Sequence, residues 1–347
     1  MGISFVKACV AIARFTDVCA NGARQRGMAV MNKIPVFGTI AHAYGFAVGN
    51  FLRILGIVWA PLAVSITVGL MVTPGFLGNH TPINDLEAIQ RQSLRLSPFI
   101  FVFSLFIRAM IGVGVTELAL GKRSGNTFVY FSLGAPVWRL IGAWLLFLLV
   151  MIVIYIGLII VTAVVAVGGG LMVAAMKLST GAHAIAVGLL VLFCFFLFLG
   201  SLIYIMARLT FLIPPVVVEE NKVDLARGWI LTRGSFWRIC AIGFAIFIPL
   251  ILIQGAIVVS VYGLDFFHRF ADIMRAGFMR QLSEDAMRQQ MDIWGAAVRA
   301  RGLQVWPFMA AVGLVFETFA YGLLYGASAF AYREVNPTPA ETRSDPV

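Results

Sequence analysis

Residues 140–176 read LIGAWLLFLLVMIVIYIGLIIVTAVVAVGGGLMVAAM, 37 consecutive positions without a charge between Arg139 and Lys177. A membrane-crossing helix needs about 20 mostly apolar residues, so this run exceeds one crossing. It lacks the polar/apolar alternation over ~10 positions that marks an outer-membrane strand, which makes it helical. The triplet Gly168-Gly169-Gly170 is expected to end the helix and leave a short apolar connector. Working outward, this span lies within 138–168, and five more segments qualify: 52–73, 97–120, a stretch within 183–213, 236–263 and 304–330.

The rest of the chain agrees. Hydrophobic residues make up 61% of the 347 positions and charged residues 12%, with a mean hydropathy of +0.94. Soluble chains carry about 25% charged residues, so there is too little polar surface for a water-soluble body. The expected fold class is all-α, a polytopic membrane bundle of about six transmembrane helices forming one domain over 33–335. Residues 1–32 read as a basic cytoplasmic extension or as a misassigned start, Met28 and Met31 being alternative first residues. The apolar run Ala8–Ala13 is too short for a signal peptide. Residues 336–347 read as a disordered tail.

The net charge of +10 suggests nucleic acid in a soluble protein. In a membrane protein it places positive loops on the cytoplasmic side, against anionic lipid. With both termini inside, Lys and Arg beside the spans number 15 on the cytoplasmic side and 9 on the other. The expected partners are therefore membrane lipids, anionic ones foremost, with no nucleic acid.

Three spans open on one device. Gly49-Asn50-Phe51-Leu52-Arg53, Gly134-Ala135-Pro136-Val137-Trp138-Arg139 and Gly234-Ser235-Phe236-Trp237-Arg238 each place a glycine, a helix-starting residue, an aromatic or Leu, and an arginine in sequence. Asn50 and Ser235 suit an N-cap, and Pro136 suits a first turn. Arg53, Trp138, Arg139, Trp237 and Arg238 are expected to anchor on interfacial lipid phosphates. Arg108 precedes Arg139 by 31 residues and Arg208 precedes Arg238 by 30. The chain thus reads as three repeated helix pairs, 33–120, 121–220 and 221–335. Within the third pair, 265–303 is expected to form an outer-face helical segment that starts at Ser283, stops at Gly302 and can meet protein partners.

The run Arg208-Leu-Thr-Phe-Leu-Ile-Pro-Pro-Val-Val-Val-Glu-Glu-Asn-Lys222, followed by Leu225-Ala-Arg-Gly-Trp-Ile-Leu-Thr-Arg-Gly-Ser-Phe-Trp-Arg238, resembles uncharacterised six-helix bacterial inner-membrane proteins. It is also similar to the membrane domain fused to some glycerophosphoryl diester phosphodiesterases. The resemblance is specific over 208–238. It implies a multi-pass module of the bacterial inner membrane without established chemistry; the phosphodiesterase activity belongs to a separate barrel that nothing here is long or polar enough to encode.

Catalytic motifs are missing: there is no HExxH, no GxSxG and no GxxxxGK[ST]. His42, His80, His183 and His268 and the four cysteines lack ligand spacing, so neither a metal nor a cofactor is expected. Glu219-Glu220 follows Pro214-Pro215 and reads as a solvated loop pair. The informative charges lie inside spans. Arg108, Arg208 and Glu317, with Glu117 nearby, form a candidate intramembrane ligand or ion site, because a charge at the bilayer centre costs at least ~2.5–3.5 kcal/mol and normally pairs inside the bundle. Arg108 and Arg208 are expected to face a shared axis with Glu317 as counter-ion. The functional expectation is a non-enzymatic lipid- or partner-binding module in envelope homeostasis; the alternative is a transporter or channel for an anionic solute or lipid that uses Arg108, Arg208 and Glu317. Gly322 and Gly326 are expected to make a close-packing face.

Overall fold

The computed structural model describes residues 33–72, 86–123, 128–176, 180–279 and 283–336. The expectations for 1–32 and for the tail beyond 336 lie outside these residues.

Among the described residues the chain is a succession of helices. Helix α1 (Val36–Gly49) is short, and α2 (Phe51–Val72) follows after Asn50. Then come α3 (Leu86–Ala119), α4 (Ala135–Ala175) and α5 (Thr180–Thr210). Two short helices follow, α6 (Ile213–Glu220) and α7 (Leu225–Leu231), then α8 (Phe236–Tyr262), α9 (Leu264–Phe278) and α10 (Glu284–Val335). Six stretches among the described residues are long and apolar enough to cross a membrane, as expected of a multi-pass membrane protein: Phe51–Val68, Arg95–Ala119, Ala135–Ala175, Gly181–Glu220 (running through α5 and α6), Phe236–Tyr262 and Gln304–Val335.

Three local expectations change. The helix does not end at Gly168–Gly170; α4 continues to Ala175. Glycine weakens a helix in water, but in lipid the backbone must satisfy its own hydrogen bonds. Here a Cβ on Gly169 would lie 2.7 Å from Leu190 Cδ1, so the small residue brings α4 close to α5. Gly302 likewise does not stop a helix. The segment 265–303 divides into α9 and the first turns of α10, and α10 runs on unbroken into the last span. Its start is as read: the Ser283 side chain accepts from the Ala286 N–H. The two parts pack through Trp294, which lies 4.9 Å from both Phe266 and Phe270. Finally, Ser235 makes no side-chain cap bond, and the Asn50 amide donates backward to Phe46 O (3.2 Å). The turn before α8 depends instead on Gly234, whose φ of +74° suits glycine. Pro136 does occupy the first turn of α4, and Asp224 caps α7 by accepting from the Arg227 N–H (2.9 Å).

The helices α3, α4, α5, α8 and α10 each pack on the next, and α10 returns to α3 to close a ring. Helix α2 packs outside on α3 and α10, and α1 lies along α10 and α8. A Cβ on Gly322 would lie 3.1 Å from Ala47 Cβ and one on Gly326 2.8 Å from Phe46 Cδ1, so this small-residue face of α10 is where α1 approaches.

The buried core gathers at one end of the ring, around α6. Its residues Ile213 through Val218 are all buried, packed among α3, α4 and α10. One apolar cluster joins Ile57, Met110, Ile111, Leu140, Ile213, Val217 and Tyr325; a second joins Ile34, Ala43, Leu212, Val216, Ile242 and Leu323. Away from this end, α4 and α5 are apolar and largely uncovered, as faces turned to lipid tails require.

Candidate functional site

Polar groups ring the buried α6. Lys122, just past α3, forms a salt bridge with Glu219 (3.0 Å) and donates to Val218 O (3.0 Å). Glu220 accepts from Arg227 Nε (3.1 Å) and from the Tyr332 hydroxyl (3.1 Å). Arg139, at the start of α4, donates to Asn221 Oδ1 (2.8 Å), and Arg333 donates to Leu120 O. Elements from all along the chain are thus tied to one eight-residue helix. Glu219 and Glu220, read from sequence as solvated, are half-buried partners in this network. Glu117 pairs at long range with Arg123 (3.9 Å). The Arg123 guanidinium lies 4.3 Å over the Tyr130 ring, and burial, reinforced by the negative charge of Glu117, pushes the Tyr130 phenol up from its usual range.

Arg238, Trp138 and Trp237 belong to this same end, whereas Arg53 lies further down alongside α10, beside Leu314 and one residue from the Ile54–Gly322 contact. Arg238 donates to Ile34 O (3.0 Å) and so pins the start of α1 to α8. Trp138 and Trp237 are 59% and 80% exposed, directed outward. Arg53 lines an open, mainly apolar groove of about 510 Å³ with Leu52, Leu55, Gly56, Trp59, Phe128 and Leu314. Trp59 Nε1 donates to Phe128 O (2.6 Å), which fixes one wall.

The structure does not bring the intramembrane charges into one cluster. Arg208 is 5% exposed and enclosed by α7. Its guanidinium lies 3.7 Å over the Trp229 ring, donates to Trp229 O (2.7 Å) and donates to the Tyr204 hydroxyl (2.8 Å). Thr232 Oγ1 in turn donates to Arg208 O (3.2 Å). This arginine is held by a carbonyl, a hydroxyl and the Trp229 ring rather than by a carboxylate, and its buried Nε has no hydrogen-bond partner among the described residues.

Arg108 has other surroundings. It lies mid-span on α3, one turn from Gly112, whose Cβ position is 2.7 Å from Tyr325 Oη and 3.4 Å from Leu140 Cδ2. Residues one turn apart share a helix face, so Arg108 stands on the face that meets α10 and α4. It interacts electrostatically with Glu317, Tyr321 and Tyr325 of α10. Among the described residues, neither Arg108 nor Glu317 has a hydrogen-bond or salt-bridge partner. One turn toward α6 from Gly112, the buried Thr116 hydroxyl also lacks one. Arg108, Gly112 and Thr116 on α3 therefore face Glu317, Tyr321 and Tyr325 on α10 along a polar seam. The tyrosines and Thr116 escaped sequence reading, although their i, i+4 spacing in line with the two charges was the available signal.

Among the described residues no three His, Cys, Asp or Glu side chains come together. Comparison with protein families, with curated proteins and with solved structures gives no match.

Proposed function

We propose that this chain is a multi-pass module of the bacterial inner membrane that binds an anionic phospholipid and acts in envelope homeostasis without catalysing a reaction. The observation that carries the reading is the groove on α2. Its volume falls within the range of small-ligand sites, roughly 300–1,000 Å³, its lining is apolar enough for an acyl chain, and Arg53 supplies a cation for a phosphate. The α6 end is the cytoplasmic one, since Lys33, Lys122, Arg123, Arg139, Lys222, Arg227, Arg233, Arg238 and Arg333 collect there. Exposed Trp138 and Trp237 sit at headgroup depth. The common openings of α2, α4 and α8 mark three copies of one helix-pair unit, and the likeness to phosphodiesterase-linked membrane domains fits a module of this kind.

The test is native mass spectrometry of the protein purified in mild detergent from membranes containing phosphatidylglycerol. Wild type is expected to retain a defined anionic lipid, and Arg53→Gln or the groove-filling Gly56→Leu to lose it about tenfold. An identical unselective lipid belt in all three proteins would refute the assignment.

Transport is a second reading, favoured by the unpartnered Arg108–Glu317 pair within the ring. Arg208, held by Tyr204 and Trp229, takes no part in it. Anion flux in liposomes that persists in Arg108→Leu/Glu317→Leu would remove this reading.

A further inference from the structure

We infer that Arg108, Glu317 and Tyr321 form a second binding site, for a zwitterionic group that carries a phosphate ester beside a primary ammonium. Ionised groups at membrane depth pair with each other or with a ligand. These two stand on the stretches of α3 and α10 that meet where Gly112 approaches Tyr325 but form no salt bridge, and each is without a hydrogen-bond partner among the described residues. Arg208 differs from Arg108: it makes two hydrogen bonds, stacks on a ring and is 5% exposed. Arg108 is exposed instead.

The charge pattern selects the ligand. A simple anion meets Arg108 but is repelled by Glu317, and a simple cation meets the reverse. A ligand with both charges satisfies both residues and leaves the site neutral. Guanidinium forks suit phosphate oxygens, and a carboxylate accepts N–H bonds from a primary ammonium, which a trimethylated ammonium cannot donate. The Tyr321 ring, stacked on Tyr325 at 6.0 Å, closes the side of the site toward α6. Ethanolamine phospholipid and free glycerophosphoethanolamine share this chemistry. The site shares no residue with the α2 groove, so either can fail alone.

The full chain in nanodiscs holding phosphatidylethanolamine, phosphatidylcholine and phosphatidylglycerol in equal parts provides the test, read by native mass spectrometry of retained lipid. Wild type is expected to retain the ethanolamine lipid about tenfold over the choline lipid. Glu317→Gln should reduce that preference to parity, and Arg108→Gln should lose both lipids. The swapped Arg108→Glu/Glu317→Arg protein keeps the charges paired and should keep the preference, so it serves if Arg108→Gln fails to fold. Displacement by added glycerophosphoethanolamine would assign the site to the soluble ligand, and resistance to it would assign the lipid. No ethanolamine preference in wild type, or one untouched by both single variants, would overturn the inference. Loss of phosphatidylglycerol alone in Arg53→Gln would leave it standing.

Discussion

Arg108 and Arg208 occupy matching places in the sequence, each about 30 residues ahead of an interfacial arginine, yet their surroundings make them different residues. Arg208 has Trp229 beneath its guanidinium and donates to two acceptors. Truncation would strip Trp229 O of its charged donor, leaving it the Thr232 hydroxyl at 3.1 Å. A hydrogen bond to a charged group contributes about 1.5–3 kcal/mol, and the stacked cation adds to it. Arg208→Leu should therefore destabilise the fold by about 2–4 kcal/mol in equilibrium unfolding in mixed micelles. Arg208→Lys should recover only part of this, because an ammonium cannot both stack and fork. A neutral Arg208→Leu would mean that the cage contributes nothing. Arg108→Leu, which removes an unpartnered charge, should cost far less in the same assay.

At the scale of the element, α6 decides how the bundle closes. Pro214 and Pro215 fall in its first turn, where their missing N–H groups are tolerated. The apolar run behind them is buried, and the acids at its end are held by Lys122, Arg227 and Tyr332. The two kinds of contact differ in weight. The Lys122–Glu219 pair is about one-third exposed on each side, and such pairs contribute about 0–1 kcal/mol. Val217 is 1% exposed within the main cluster, and a carboxylate there has no partner for its charge. Val217→Asp should cost more than about 3 kcal/mol or abolish folding, whereas Glu219→Gln should cost under about 1 kcal/mol. Comparable effects in thermal or chemical unfolding would mean that α6 is held by its charges, not by burial.

At the scale of the molecule, the helices impose a sidedness that labelling can read. Lys222, between α6 and α7, and Asp285, at the start of α10, lie at opposite ends of the bundle. In a background with Cys9, Cys19, Cys194 and Cys240 replaced, Asp285→Cys should react with an impermeant maleimide on intact spheroplasts. Lys222→Cys should react only after lysis. The reverse pattern would invert the orientation argued from Lys and Arg.

The division between chain and fold follows from range. Six apolar runs were legible because a spanning helix is specified locally, by about 20 consecutive side chains and a backbone that must bond to itself. The caps at Asp224 and Ser283 were legible for the same reason. Gly168–Gly170 and Gly302 misled because a glycine's effect depends on what approaches it. The neighbour of Gly169 is Leu190, on another helix. The intramembrane charges were visible as costly residues, but their partners lay tens to hundreds of positions away. The tertiary structure alone separated Arg208 from Arg108 and Glu317 and placed α6 among α3, α4 and α10. Electrostatics and packing act across space, and one chain's local pattern does not contain those distances.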